Sequence, residues 1–408
     1  MRDNSNIIKL SFIFISVILF TCIPRKTKMV KPAPFSFTIL YFSDFGYKDL
    51  PRFADYIKKL KNTPGLSFTF ISSKIFTGDF IHLDERLFTL ELIKILNDLE
   101  IDGVVVDGSF LPLFQKMGRE ILVNSRFFFL GSNLFQRETE KSVFHPFLIK
   151  RMKGERILLM NILSDCPIKR YRDGYRWEEP KTYLGKKIPL LKERADFIGC
   201  FIDSQVHSHL PRFLGFFVLP DSGNWLIKGI GSAGGNIVEI KSEPMILTGE
   251  EVGIKERVQA LTEKIDSILD IRIQEIKRPI TPERIRKLIL EFILKKTKVD
   301  FIIFDQSLIK EGIAKGLLTN RDLWEILNER GFLFAGEIET KNLISLLRDK
   351  NINIFPLVKG LTKKSYWVAS PESIFRAKEA DFKDGYFCLP LSLFEYVRDF
   401  FGGGSARF

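Results

Sequence analysis

Apolar and polar residues along the first half of the chain predict strands and helices in alternation. Residues 37–42 form an almost wholly apolar run, which is typical of a buried strand. Residues 50–61 carry apolar side chains at helical spacing, and residues 66–72 are rich in β-branched and aromatic side chains, as strands are. Further elements follow: a helix over 87–99 and strands over 103–106, 126–130, 156–163 and 197–202. This alternation predicts an α/β fold with a mixed or parallel sheet.

The pattern changes near residue 250. Residues 250–273 repeat apolar positions at helical spacing and predict a linker helix that ends before Pro279. Thr281 followed by proline predicts the start of a second helix over 282–296, because threonine caps helices and proline suits their first position. A strand over 301–304, a helix over 320–329 and a mixed tail complete the chain. We therefore predict a first domain over 36–248, a helical linker over 249–280 and a smaller α+β domain over 281–408.

The N-terminus has the pattern of a targeting segment. Two basic residues precede an apolar run over 10–23, which has the length of a signal peptide and is short for a membrane span. The run ends near Cys22, in a string that resembles the lipidation site of bacterial lipoproteins. We predict a signal peptide over 1–22, a tether over 23–35 and a lipid on Cys22 that anchors the exported chain to a membrane surface in the cell envelope or periplasm. Secretion without a lipid and an uncleaved anchor remain alternatives.

Composition narrows the classes of function. Apolar residues make up 45% of the chain and charged residues 27%, which suits a folded protein with a large core. The net charge of +12 suits an anionic partner or a phospholipid surface. Four histidines and four cysteines argue against a histidine-rich metal centre and a disulfide framework. The phenylalanine runs 127–129 and 216–217 are interpreted as core strands, and no nucleic-acid partner is expected.

Several strings resemble the bacterial 5'-nucleotidase family. Residues 39–46 resemble its I-L-H-T-N-D-x-H-G segment, residues 68–78 its L-L-L-D-A-G-D segment, and residues 102–111 its D-A-x-x-x-G-N-H-E-F segment. Residues 300–310 follow the family's A-D-x-x-x-x-N-G-G-G-I-R pattern from its aspartate onward without a gap. The resemblance implies a layered α/β sandwich of the calcineurin-like metallophosphoesterase type, followed by a nucleotide-binding C-terminal domain. It also implies a hydrolase that uses two divalent metal ions.

Most metal ligands that the resemblance implies are replaced in this chain. The family's ligand and catalytic positions fall on Asp44, Gly46, Lys74, Gly108, Ser109, Asp221 and Gly223. Of these, Asp44 keeps the family's ligand, whereas Lys74 places a cation where a bridging carboxylate belongs. We therefore predict no metal cofactor, and we expect the Lys74 ammonium to be buried and paired with Asp44.

The nucleotide site implied by the resemblance is altered in the same way. Its positions fall on Asp305, Gln306, Ser307, Leu308, Lys310 and Glu329. Three of them replace glycines that let the backbone approach a ligand closely. Lys310 keeps the charge of the family's arginine without its bidentate fork, and Glu329 replaces a phenylalanine that stacks on the base. These replacements argue against nucleotide binding.

A relocated metal site is the remaining route to hydrolysis. Asp79, His82 and Asp84 lie in one loop, and His207 and His209 follow the strand that ends near residue 202. We interpret the first group as a solvated loop and the second as a pair with a surface or capping role. Two functions stay open: a non-catalytic binding or assembly protein, which we favour, and a phosphoester hydrolase with a remodelled or single-metal site. The sequence does not identify a protein partner.

Overall fold

A computed structural model describes the chain in segments that lie both before and after residue 250. These are residues 35–43, 45–62, 65–78, 82–152, 154–163, 175–202, 216–219, 223–232, 236–245, 249–349, 352–356, 360–378, 381–383 and 387–403. Several residues discussed above lie outside the described residues, namely Cys22, Asp44, Asp79, His207, His209 and Asp221. The predictions made for them stay predictions.

The first half combines a six-stranded, a four-stranded and a two-stranded sheet with flanking helices. Its strands are β1 (Phe35–Phe42), β2 (Leu66–Ser72), β3 (Gly103–Val105), β4 (Phe128–Leu130), β5 (Leu134–Gln136), β6 (Leu148–Met152), β7 (Glu155–Asn161), β8 (Tyr175–Trp177), β9 (Phe197–Phe201), β10 (Phe216–Leu219), β11 (Asn224–Ser232) and β12 (Asn236–Pro244). Its helices are α1 (Leu50–Lys61), α2 (Glu85–Asp98), α3 (Leu111–Asn124) and α4 (Pro180–Lys192).

The two larger sheets pack face to face, and β5 pairs with β8 in the third. One has the order β12-β11-β1-β2-β3-β4 and the other the order β10-β9-β7-β6. Along β1, Phe37, Ile39 and Tyr41 join the core between the sheets, whereas Leu40 and Phe42 join the core beneath the helices. A strand buried on both faces needs this apolar run, because successive side chains point to opposite faces. The predicted layered α/β sandwich with mixed sheets is confirmed.

The second half has a sheet and helices of its own. Its elements are α5 (Val252–Leu269), β13 (Arg272–Ile276), α6 (Pro282–Thr297), β14 (Phe301–Asp305), β15 (Gly316–Thr319), α7 (Asn320–Ile326), β16 (Phe332–Glu339), α8 (Thr340–Leu347), β17 (Ile352–Phe355), β18 (Ser365–Pro371), α9 (Glu372–Ala377), β19 (Phe387–Ser392) and α10 (Leu393–Gly402). Five strands form a sheet of order β17-β14-β18-β16-β19, and β13 pairs with β15. Thr281 caps α6 as predicted, since its side chain accepts a hydrogen bond from the Arg284 N–H.

Two predicted helices end earlier than expected. The helix predicted over 250–273 ends at Leu269, because residues 272–276 pair with β15 as an antiparallel strand. The helix predicted over 320–329 ends at Ile326, where Leu327 takes an extended backbone and bridges to Ile309. Such pairings depend on residues far along the chain.

Helix α5 is packed between the two halves. Val258, Leu261 and Ile265 are buried on it, and they belong to one hydrophobic cluster that runs from Leu40 to Phe401. Among the described strands, those before α5 and those after it form separate sheets. The domain limits given above remain a proposal that agrees with this separation.

The two described cysteines are free thiols. Cys200 is buried, and burial raises the pKa of its thiol, so it is an unreactive core residue. Cys388 is half-buried. In the described segments, no helix has both the length and the hydrophobicity needed to span a membrane.

Candidate functional site

The carboxyl ends of β1, β2 and β3 meet at one edge of the first sheet, where the resemblance places the metal site. The three strands are parallel neighbours, so the residues that follow them lie on the same side. The described residues at this edge are Ser43, Gly46, Ser72, Ser73, Lys74, Asp107, Gly108 and Ser109. Gly223 directly precedes β11, which runs antiparallel beside β1, and therefore lies at the same edge.

Asp107 is the centre of a hydrogen-bond network at this edge. The Ser73 hydroxyl donates to Asp107 Oδ2 at 3.0 Å, and the Ser72 hydroxyl donates to the same oxygen at 3.4 Å. The backbone N–H of Ser109 donates to Oδ1 at 2.8 Å, and the Ser109 hydroxyl donates to that oxygen as well. The Asp107 N–H donates in turn to Ser73 Oγ at 2.9 Å. Neutral donors of the protein therefore bind both oxygens of this carboxylate.

Sequence reasoning did not single out Asp107, although a signal was present. Aspartate followed by glycine and serine directly after a buried strand is typical of a turn in which the carboxylate caps the next backbone amides. Here it caps the 3-10 turn Gly108–Phe110, and α3 begins at once with Pro112 in its first turn. The two family positions Gly108 and Ser109 thus serve as turn residues.

Lys74 is exposed, so the prediction that its ammonium is buried is wrong. It lies on the 3-10 turn Ser73–Thr77, in which Ser73 is fully buried toward Asp107. The Lys74 N–H donates to Ser72 Oγ at 3.3 Å, and its carbonyl accepts from Thr77 Oγ1 at 3.0 Å. An exposed ammonium is hydrated by water, so the cost of a buried unpaired charge does not apply. Because Asp44 lies outside the described residues, the proposed pairing stays a prediction.

Gly223 cannot be exchanged for a residue with a side chain without strain. Its φ of +87° lies in the left-handed region, and a Cβ atom would lie 2.5 Å from Trp225 Nε1. Its carbonyl accepts a hydrogen bond from Ser43 Oγ at 3.1 Å. Gly46 has more space, and its N–H donates to Asp49 Oδ2 at 3.0 Å. At these two positions the backbone forms the hydrogen bonds, and there is no side chain that could bind a metal ion.

The loop with His82 is packed instead of solvated, so that interpretation is wrong for this residue. His82 is 8% exposed, and its ring meets the ring of Phe332 edge-on at 5.0 Å. Asp84 caps α2 by accepting from the Leu87 N–H at 2.9 Å. Within the described segments, no three His, Cys, Asp or Glu side chains lie together as a metal site would need.

The turn after β14 is closed by its own side chains. Asp305 caps the 3-10 turn Gln306–Leu308 by accepting from the Ser307 N–H at 2.7 Å. Arg286 donates to the Gln306 carbonyl at 2.7 Å, and Asn328 donates to Ser307 Oγ at 3.1 Å. Leu308 is buried under the turn. Of the three positions where the family has glycines, Leu308 is packed, Ser307 is hydrogen-bonded through its side chain, and Gln306 has an exposed side chain.

The two other nucleotide positions have local partners or face solvent. The Lys310 side chain is exposed, and its backbone N–H donates to the Ile326 carbonyl at 2.8 Å. Glu329 is half-buried and accepts a hydrogen bond from the Ser373 hydroxyl. Glu329 is thus engaged within the second half of the chain.

Comparisons with known proteins agree on the fold. No family model matches the chain, and no curated protein matches it. A 5'-nucleotidase precursor from Thermus thermophilus has a similar structure, with 14% identity, 90% of this chain and 96% of that chain covered, and a TM-score of 0.57. NAD nucleotidase from Haemophilus influenzae gives 11% identity, 91% and 96% coverage and a TM-score of 0.61. A putative 5'-nucleotidase from Staphylococcus aureus has 9% identity, with 90% of this chain and 96% of that chain covered, and a TM-score of 0.62.

Identities of this size show a shared fold and leave the activity open. Each of these three structures matches 90–91% of this chain. The fold that the sequence resemblance implied is confirmed: this chain has the two-domain fold of the 5'-nucleotidases.

Proposed function

We propose that this chain is a non-catalytic member of the 5'-nucleotidase family that keeps the fold for binding or assembly in the cell envelope. The observation that supports it best is the Asp107 network, in which serine hydroxyls bind the carboxylate at the edge where the family holds its metals. A two-metal phosphoesterase needs carboxylate, amide and imidazole ligands that converge from several strand ends. Lys74 and Ser109 supply none of these groups.

The donor set of the described residues does not fit two divalent cations. Such cations need several anionic oxygens or imidazole nitrogens. Asp107 is the one carboxylate among the described residues directly following β1, β2 and β3, and it already accepts hydrogen bonds on both oxygens. Gly223 could hold a ligating side chain only with backbone strain. We therefore derive no catalytic step through a metal ion.

Turnover assays test the absence of catalysis. The purified chain, with manganese or zinc added, is expected to hydrolyse neither AMP nor 4-nitrophenyl phosphate above the background rate. Lys74→Asp is expected to restore nothing, because hydroxyl and backbone groups still occupy the other ligand positions. Turnover by the unaltered chain that a chelator abolishes would contradict the proposal. That result would favour a phosphoester hydrolase with a remodelled site.

The proposal includes export and a lipid on Cys22, which the sequence pattern supports. Mass spectrometry of the membrane fraction of a bacterial host is expected to find a mature chain that begins at Cys22 and carries added acyl mass. Cys22→Ser is the matched control, and it should leave a precursor without acyl mass. A cytoplasmic chain that retains Met1 would contradict this prediction.

A further inference from the structure

A pocket of about 350 Å³ opens beside the turn that carries Lys74. Three aromatic side chains and Ile75 line it together with three charged residues; the side chains are Phe45, Tyr47, Phe88, Ile75, Lys48, Lys74 and Asp49. The volume falls in the range of small-molecule sites, and apolar walls with few polar groups are typical of them. None of the residues implied by the resemblance, other than Gly46 and Lys74, lines this pocket.

The aromatic walls are held in place by the surrounding structure. Tyr47 is 7% exposed, and its ring meets Phe88 edge to face with centroids 5.4 Å apart. The Tyr47 hydroxyl lies 3.4 Å from Thr262 Oγ1 on α5, and burial raises the pKa of Tyr47, so its phenol stays neutral. Phe45 packs against the buried ring of Phe53 at 4.4 Å. The pocket therefore exists before any ligand binds.

The charged groups that line the pocket favour an anion. Lys48 and Lys74 are both exposed, and neither forms an ion pair with another residue in the described segments. Asp49 is the one described acidic residue lining the pocket. Its carboxylate accepts from the Gly46 N–H at 3.0 Å and lies 4.0 Å from Arg52, so part of its charge is offset. Within the described residues, these two ammonium groups therefore have no ion-pair partner beside the cavity.

We propose that this pocket binds a small organic anion with an aromatic body, and that it does so without a metal ion. The Lys48 and Lys74 ammonium groups contact the phosphate or carboxylate of the ligand, and its ring packs against Phe45, the half-buried aromatic side chain of the pocket. Lysine binds phosphate as a point charge. This inference rests on the binding role proposed above and names the class of ligand.

Asp107 acts on this pocket as a positioning residue. Its Oδ2 accepts a hydrogen bond from the Ser73 hydroxyl at 3.0 Å, and Ser73 begins the turn whose next residue is Lys74. Ser109 ties the end of the same turn, since its hydroxyl lies 3.4 Å from Thr77 Oγ1. The network that replaces the family's ligands therefore holds Lys74 at the pocket.

Titration calorimetry in the presence of EDTA tests the proposal with phenylphosphonate, which the chain cannot hydrolyse. Benzyl alcohol keeps the ring without the charge, and inorganic phosphate keeps the charge without the ring. We expect phenylphosphonate to bind at least about tenfold more tightly than either, because charge-assisted hydrogen bonds and ring burial act together. Phenylacetate distinguishes a carboxylate ligand from a phosphate ligand. Affinity should fall as salt rises.

Substitutions locate the site. Lys74→Met and Lys48→Met should each weaken phenylphosphonate binding by about tenfold, and Lys74→Arg should keep most of it. Lys181→Met, an exposed lysine on α4 away from the pocket, is the matched control and should change nothing. Equal affinities for phenylphosphonate and benzyl alcohol would overturn the proposed anion binding by the pocket and leave the proposed function standing. An unchanged affinity of Lys74→Met for phenylphosphonate would do the same. Binding or turnover that requires a divalent metal would overturn the proposed function itself.

Discussion

Phe129→Ala is expected to lower the free energy of unfolding by about 3–5 kcal/mol, the range for a large aromatic side chain removed from a packed core. Phe129 is 1% exposed on β4, and its ring lies nearly parallel to that of Phe110, with centroids 5.4 Å apart and an angle of 7° between planes. The ring of Phe76 belongs to the same cluster, and its centroid lies 6.2 Å from that of Phe129. Urea denaturation followed by circular dichroism measures the change.

Phe128→Ala is the matched control, because it changes the same residue type one position earlier on the same strand. Phe128 is 40% exposed, so we expect a loss below about 1 kcal/mol. The contrast also tests the interpretation of the run 127–129 as wholly core, which is wrong for its middle residue. Equal losses of unfolding free energy in the two variants would contradict the burial of Phe129 and the exposure of Phe128 on β4.

Asp107→Ala is expected to cost about 2–3 kcal/mol, because it leaves buried hydroxyl and amide donors without an acceptor. Asp107→Asn should cost less, since hydroxyl groups can rotate to accept from the amide. The same denaturation experiment applies to both variants. Weaker phenylphosphonate binding by Asp107→Asn, despite a folded chain, would separate its positioning role from its effect on stability.

Asp305→Ala provides the comparison for Asp107. Asp305 caps a similar 3-10 turn but is exposed, so its loss should cost about 1 kcal/mol. If Asp107→Ala proved as stable as the unaltered chain, the serine network would contribute nothing to the fold. The carboxylate would then have to be kept for another purpose, such as a cation.

Local patterns predicted the elements that local sequence determines. Strand β2 matches the predicted residues 66–72 from end to end, because its aromatic and β-branched run follows Gly65 directly. Helix α1 matches the predicted residues 50–61 for the same kind of reason, with proline in its first turn. The end of α5 could not be predicted, since β13 forms only where β15 pairs with it, some forty residues later.

At the candidate site, too, the features set by local sequence were predicted and those set by distant contacts were not. The resemblance indicated at which edge of the sheet the site residues lie, but it did not predict that Lys74 is exposed. That outcome depends on Ser73 being drawn to Asp107 from a different strand end. His82 likewise appeared solvated from its loop sequence, whereas Phe332 in the second half covers it. Side-chain burial at such positions follows from contacts that sequence spacing does not contain.

The metal stoichiometry of the purified chain tests most directly whether this edge of the sheet still holds a two-metal centre. The chain is incubated with manganese or zinc, freed of excess metal by gel filtration and analysed for bound metal, and its unfolding temperature is measured with and without the metal. We predict less than one ion per chain and an unchanged unfolding temperature. Two ions per chain that raise the unfolding temperature and are lost in Asp107→Asn would contradict the proposed function.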